Sequence, residues 1–366
     1  MLWRFSAMLC YYIFFNRVLA GDGSIFKNFF SGLFRPFQVP RGSTSLILHI
    51  MVLVVLTGTS VSARAGLQVV VSIPPLHSLA VSVLEGVAKP ELLIKGAQSP
   101  HDFTLRPSDL QKLGRADLIL RIGPSFETGL SGAISRLEGK VPVLSLMQLD
   151  GVKRLKFRGS ALRSEAGRGV PKGEHGEHGE HSDHGPSPHR ADHTDPHLWL
   201  DIDNAIGFVR TIARMVIKID VGVADRVNGN ATRLITKLRA LDERLKKRLA
   251  PYGEKHFLTY HDAYQYFEHR YGLGWVGAVA SGAHTQPGLR HLTEVREILK
   301  SARAVCLFTE PQFPPKLGAR LISGTPARLG VLDPLGAGIK PGVEQYFVLM
   351  TRLGQNLTDC LDGKSL

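Results

Sequence analysis

The stretch from Ala224 to Ala250, ADRVNGNATRLITKLRALDERLKKRLA, decides how the rest of the chain is read. It contains no proline, and Leu234, Leu238, Leu241, Leu245 and Leu249 recur at intervals of three and four residues. That spacing places them on one side of a helix, because residues three and four apart share a helical face. At 1.5 Å per residue the helix reaches roughly 40 Å. It is expected to span two lobes as a rigid spine and to limit hinge motion between them. A shorter helical pattern, Asn204 to Ile219, precedes it.

On both sides of the spine, short β-branched runs alternate with amphipathic stretches. Upstream, Leu67 to Ser72, Glu91 to Lys95, Asp117 to Ile122 and Val141 to Ser145 read as strands. Pro107 to Leu113 reads as a short helix, with Ser108 and Asp109 at its start and Gly114 after its end. Downstream, Lys255 to Tyr260, Gly274 to Val279, Ala304 to Thr309 and Arg328 to Leu332 read as strands, and a helix from Val343 to Leu361 closes the chain. Repeated βα units imply parallel sheets. The expected fold is therefore α/β, with two βα lobes, each on a central parallel sheet, joined by a long rigid helix. The expected divisions are a leader over 1–65, a first lobe over 66–203, linking helices over 204–250 and a second lobe over 251–366.

The formal net charge is +13. Residues 1–65 hold Arg4, Arg17, Lys27, Arg35, Arg41 and Arg64 against Asp22, so +8 of that excess belongs to the remainder. It is scattered along the chain. A nucleic-acid binder would gather it on one face beside aromatic or helix-turn-helix features. Neither is present, and no nucleic-acid partner is expected.

Ser45 to Thr57, SLILHIMVLVVLT, is an apolar run preceded by Arg41 and followed by the small-x-small triplets Val61-Ser62-Ala63 and Ala63-Arg64-Ala65. This is the pattern of a secretory signal peptide. The run falls short of the about 20 apolar residues that a membrane span needs, although an uncleaved anchor is the alternative. Export would remove Cys10 and leave Cys306 and Cys360, an even pair in an oxidising compartment, which suggests a disulfide. Two free buried thiols are the other reading. No cysteine near the cleavage site forms a lipobox, so a soluble periplasmic product is expected.

Ligands of open α/β sheets bind beyond the carboxyl ends of the strands. His261 follows the strand ending at Tyr260, Asp333 follows Leu332, and His101 lies in the loop after Lys95. Taken singly, each is an ordinary cap or turn residue. Together they place imidazole and carboxylate at one kind of edge, and Zn²⁺ takes both in tetrahedral geometry.

Four segments sharpen this reading: HDFTLRPSDL from His101, HLWLD from His197, YHDAYQYFE from Tyr260, and TEPQF from Thr309 with LDPLG from Leu332. In these the chain resembles the cluster A-I solute-binding proteins, specifically the zinc receptors of the ZnuA family. The resemblance implies a C-clamp with one Zn²⁺ between the lobes, held by His101, His197 and His261, with Asp333 at the family's carboxylate position. It implies delivery to an inner-membrane ABC permease with its ATPase, a soluble monomer, and a Cys306 to Cys360 bridge. Similar manganese receptors carry a carboxylate as the third ligand, so a histidine at position 261 favours zinc. The sequence departs from some zinc receptors at Pro100, where they place a glutamate before the first histidine. Asp333 or a water must then complete the shell. Trp199 is expected to pack beside His197.

Residues 171–195 break every pattern, with EHG repeats and His175, His178, His181, His184, His189 and His193. Such a segment cannot bury enough to fold alone. It resembles the histidine-rich loop of many zinc receptors, which implies weak auxiliary zinc binding; a solvated spacer is the alternative. His77, His256, His269, His284 and His291 are read as surface or packing residues. A zinc hydrolase is the rival class, yet no HExxH or similar metal-plus-base motif occurs. Glu310 as a general base lies within TEPQF, which the receptor resemblance already accounts for, and no enzyme activity is expected. A periplasmic zinc buffer or chaperone acting without a permease is the other alternative.

Overall fold

The computed structural model describes residues 66–158, 162, 194–280, 282 and 287–364. The expectations for the leader, for His175, His178, His181, His184, His189 and His193, and for His284 lie outside these residues.

In chain order the elements are β1 (Val69–Val71), α1 (Pro74–Val83), β2 (Glu91–Leu92), α2 (Pro107–Arg115), β3 (Leu118–Arg121), α3 (Thr128–Ser135) and β4 (Val143–Ser145). There follow α4 (Ile202–Ile219), α5 (Ala224–Leu249), β5 (His256–His261), α6 (Gln265–Tyr271) and β6 (Gly274–Ala280). The last are α7 (Leu289–Lys300), β7 (Cys306–Thr309), α8 (Pro315–Ile322), β8 (Arg328–Val331) and α9 (Gln345–Leu361).

Two four-stranded sheets form, ordered β2-β1-β3-β4 and β6-β5-β7-β8, and every pairing is parallel. The second sheet repeats the strand order of the first. All eight strands fall within the β-branched runs read from the sequence, give or take a residue or two at the ends. The expected two-lobed α/β architecture is thus the observed one.

Helix α5 runs from Ala224 to Leu249, and its five stripe leucines are at most 4% exposed. They pack in one apolar cluster with both sheets and with α1, α4 and α9, so the spine is the shared core of the two lobes. A smaller cluster around Leu258, Val279, Val295, Leu299 and Leu307 belongs to the second sheet and α7. Truncating a leucine such as Leu238 removes buried methyl groups at a cost of about 2–5 kcal/mol.

Helix α2 starts as expected. Pro107 fills its first turn, where a missing N–H costs nothing, and Asp109 Oδ2 accepts the Arg106 N–H at 3.1 Å. It continues two residues past the expected stop, to Arg115, so Gly114 lies inside it. Leu113, at 1% exposure, holds that last turn on the core.

The second lobe carries two ties of its own. Cys306, at the start of β7, is bonded to Cys360 in α9, which fastens the last helix onto the sheet. Arg270 of α6 gives two hydrogen bonds to Asp242 of α5, at 2.6 and 2.7 Å, and reaches Asp201 and Asp203 at the head of α4 at 2.8 and 2.9 Å. One guanidinium thereby joins the second lobe, the spine and the segment that follows His197.

Candidate metal centre

The first-lobe histidine, His101, sits in a short 3₁₀ turn, Pro100–Asp102, between β2 and α2. The turn is gripped by the start of α3: Thr128 Oγ1 donates to the His101 carbonyl at 3.0 Å. Gly129 packs so close to the Phe103 carbonyl that a Cβ there would overlap it. Glu127, fully buried, accepts from Ser72 Oγ at 2.5 Å and from the Ile122 and Gly123 N–H groups at 2.9 Å each. Those bonds tie the ends of β1 and β3 together and fix Phe126, whose ring lies 4.7 Å from His101, 5.6 Å from His197 and 5.2 Å from Trp199.

His197 precedes a 3₁₀ turn, Leu198–Leu200, that leads into α4. Its ring is fixed from behind. Nδ1 lies 2.8 Å from Asp195 Oδ1, which also accepts the His197 backbone N–H at 3.0 Å. Engagement of Nδ1 leaves Nε2 to face the cavity, an arrangement that orients histidine ligands of metals generally. Trp199 packs against His197 as expected, with ring centroids 5.4 Å apart, and its indole N–H donates to the Pro334 carbonyl at 2.8 Å.

His261 is the last residue of β5, one position earlier than a residue following the strand. Its Nδ1 lies 3.5 Å from Glu310 Oε1, beyond hydrogen-bond reach; both atoms are buried and neither has a hydrogen-bond partner. Phe313 closes the side of the ring at 5.6 Å.

One ligand-type nitrogen from each of His101, His197 and His261 lies within 4.8 Å of the others. His197 and His261 are 2% and 4% exposed. With Phe126, Trp199, Glu310, Gln312, Phe313, Pro334 and Leu335 they line a cavity of about 20 Å³. That is room for a single ion or water. Gln312 Oε1 is a third buried atom on this wall without a partner. Unpartnered buried acceptors beside imidazoles are costly, and a cation among them would relieve that cost.

The structure does not bring Asp333 into this group. Oδ1 of Asp333 accepts from Gln312 Nε2 at 2.9 Å and from the Leu335 and Gly336 N–H groups at 3.0 Å, while Oδ2 accepts from Ala337 N at 2.6 Å. The carboxylate shapes the turn over 333–337, whose Pro334 and Leu335 line the cavity. Turn chemistry, the ordinary role of an Asp-Pro pair, accounts for its donors.

Charge is arranged unevenly across the site. Burial, reinforced by the charge of His261, holds the His197 imidazole well below its ordinary range. Burial also opposes charge on His261, yet Glu310, Asp262 and Asp195 outweigh it and its pKa is raised. Behind the histidines a buried acidic group is pushed upward by burial: Asp262 to about 6, Asp195 to about 7 and Glu268 to about 8. Arg158 partly offsets the rise. It donates to Asp262 at 2.7 and 3.1 Å and to Glu268 at 2.8 Å, and it stacks 3.5 Å over Trp275.

The remaining described histidines stand apart. His77 Nε2 meets the Pro90 carbonyl at 3.0 Å, His291 Nε2 meets the Ala278 carbonyl at 2.9 Å, His269 meets Lys153, and His256 is exposed. Sequence reasoning passed over Asp195, Phe126 and Arg158 and weighed Glu310 only as a catalytic base. A carboxylate two residues before a histidine was a usable signal for Asp195, because that spacing lets it fold back on the ring. Nothing local marks Phe126 or Arg158.

Two matching parallel sheets on one spine, with a histidine trio where the lobes meet, two of the three buried, define a two-lobed α/β solute-binding protein. The family described as "Zinc-uptake complex component A periplasmic" matches residues 69–360. The chain belongs to that family. It is 39% identical over 319 residues to the high-affinity zinc uptake system protein ZnuA of Brucella abortus strain 2308, covering 84% of this chain and 96% of that one. Its fold matches the periplasmic zinc binding protein TroA from Treponema pallidum with a TM-score of 0.64 at 18% identity, over 81% of this chain and 99% of that one. Pseudomonas aeruginosa FpvC in complex with Mn²⁺ matches with a TM-score of 0.64 at 22% identity, over 81% and 99%.

Proposed function

We propose that this protein captures one Zn²⁺ ion in the periplasm between its two lobes, with His101, His197 and His261 as ligands, and passes it to the permease of an ABC importer. The observation that carries the reading is the trio itself: three imidazoles from distant parts of the chain, with ligand nitrogens within 4.8 Å, around a cavity sized for one ion. Neutral imidazoles suit zinc better than manganese, which favours carboxylates. His197 binds through Nε2 with Asp195 behind it, and Glu310 plays the matching part behind His261. The fourth position goes to a water, or to Asp333 once its turn opens.

The site is a binding site rather than a catalytic one. A hydrolase needs an open position with a base aimed at bound water, whereas the rings of Phe126, Trp199 and Phe313 with Pro334 and Leu335 crowd a cavity of about 20 Å³. The leader over 1–65 would direct export, the lobes over 66–203 and 251–366 would dock on the permease as a monomer, and the histidine-rich stretch over 171–195 would bind further zinc weakly.

Calorimetric titration of zinc into the metal-stripped protein tests the reading. One tight site lost in both His101→Ala and His261→Ala is expected. Tight binding that survives either change overturns it.

A further inference from the structure

Helix α5 carries Arg226, Arg233, Lys237, Arg239, Arg244, Lys246, Lys247 and Arg248 against Asp225, Asp242 and Glu243. Five of these cations, Arg226, Arg233, Lys237, Arg244 and Arg248, follow one another at spacings of 7, 4, 7 and 4 residues. At about 100° per residue they fall within about 60° of one another around the axis. They form a single row about 33 Å long. No acidic residue of the helix falls on the row: Asp225 and Glu243 lie on the adjoining face, and Asp242 is buried against Arg270.

All five are exposed, and among the described residues none enters an ion pair. Lys246, off the row, is the cation that Asp242 and Glu243 engage, at 2.8 and 2.9 Å. Arg226 lies over Gly86 and Arg233 donates to Asn230 Oδ1, so two of the five are already placed. Glu85 and Glu344 share the groove with Arg233 and Lys237, leaving the face with a positive excess.

We infer that this row is a docking surface for the anionic headgroups of a lipid bilayer. A small anion would meet one or two of these side chains; a straight rigid row of five matches a flat surface of repeated phosphates. The spine's leucine stripe keeps the row in register, because α5 is packed along its whole length. Docking on the leaflet that holds an importer would confine the search for the permease to two dimensions. It leaves the metal cavity free, since none of the five lines it.

The test is flotation of the zinc-loaded chain from Gly66 onward, which forms a compact unit of its own. Vesicles of phosphatidylcholine with about 30% phosphatidylglycerol are compared with pure phosphatidylcholine at low salt. Each basic residue at an anionic surface contributes roughly fivefold in partition. Arg233→Gln with Lys237→Gln and Arg244→Gln is therefore expected to lower partition roughly a hundredfold. The charge-matched set Arg115→Gln, Lys140→Gln and Lys316→Gln, in the two lobes, should change it by less than about fivefold. Zinc titration of both sets must match the unaltered protein, which separates this inference from the reading of the metal site. Equal flotation with both vesicle types, or equal losses from the two variant sets, overturns it and leaves the row as solvated surface.

Discussion

The two lobes share a strand order but hold their histidines by different means. On the first-lobe side, His101 and His197 are positioned by short-range devices: a 3₁₀ turn gripped by Thr128 and Gly129, and a carboxylate two residues away at 2.8 Å. On the second-lobe side, His261 ends β5 and faces Glu310 at 3.5 Å, a residue 49 positions on that follows β7, the strand paired with β5. The same difference appears in charge. His197 is kept neutral, while carboxylates draw a proton toward His261. One site thus contains a histidine whose surroundings favour the neutral, metal-binding form and one whose surroundings favour the proton that competes with metal.

The largest effect comes from removing a histidine outright. If an apparent 10–16 kcal/mol of structural zinc binding is spread over four positions, His261→Ala or His101→Ala lowers zinc affinity by roughly two to three orders of magnitude. Competition with a chelator of known affinity reads this directly, and a loss confined to one lobe's histidine would break the symmetry of the trio.

Stability should separate the lobes next. The described residues of the first lobe hold no disulfide, whereas Cys306 and Cys360 close a loop of 54 residues in the second. Replacing both with serine is expected to cost about 4 kcal/mol by loop-closure entropy, seen in denaturant melts. Zinc affinity should change little, because neither sulfur lines the cavity.

Asp195→Asn leaves the His197 ring less firmly oriented and should weaken zinc by about 10–100-fold. Glu310→Gln produces a subtler result, a change in pH dependence. A raised His261 pKa means that affinity falls as pH drops through that raised value, because the bound proton competes with the ion. Without Glu310 that fall moves to lower pH, which zinc titrations between about pH 5 and 8 would follow. In the metal-free protein the sign is opposite. Protonated His261 favours the fold fully below the ordinary imidazole value of 6.5, and its contribution disappears as pH rises through the raised value.

The smallest effect is expected from Trp199→Phe. It removes one buried hydrogen bond to Pro334 and some ring contact, about 1–2 kcal/mol of stability, with zinc affinity within a few-fold. A larger drop in affinity would show that this indole also sets where Pro334 and Leu335 sit against the cavity.

Much of this was legible in one dimension. The eight strands and the spine follow from local periodicity, which depends on near neighbours in sequence. The histidines stood out through the motifs around them. Asp333 stands after a strand, the position of a ligand in such folds, but the sequence did not show the donors that engage it in the turn, the N–H groups of 335 to 337 and Gln312. Glu310 was the converse case, a side chain in a quoted motif whose partner lies in another strand.

The sequence by itself determined the alternation of strands and helices, the stripe that makes the spine, and the residue types available to bind zinc. Tertiary structure alone decided which of those residues meet, which carboxylate stands behind each imidazole, and that the five cations spaced along the spine face solvent without acidic partners among the described residues. The physical reason is range. Periodicity and capping act over a few residues, whereas the separation of two side chains far apart in sequence, and with it their desolvation and charge coupling, exists only once the lobes have packed on their shared helix.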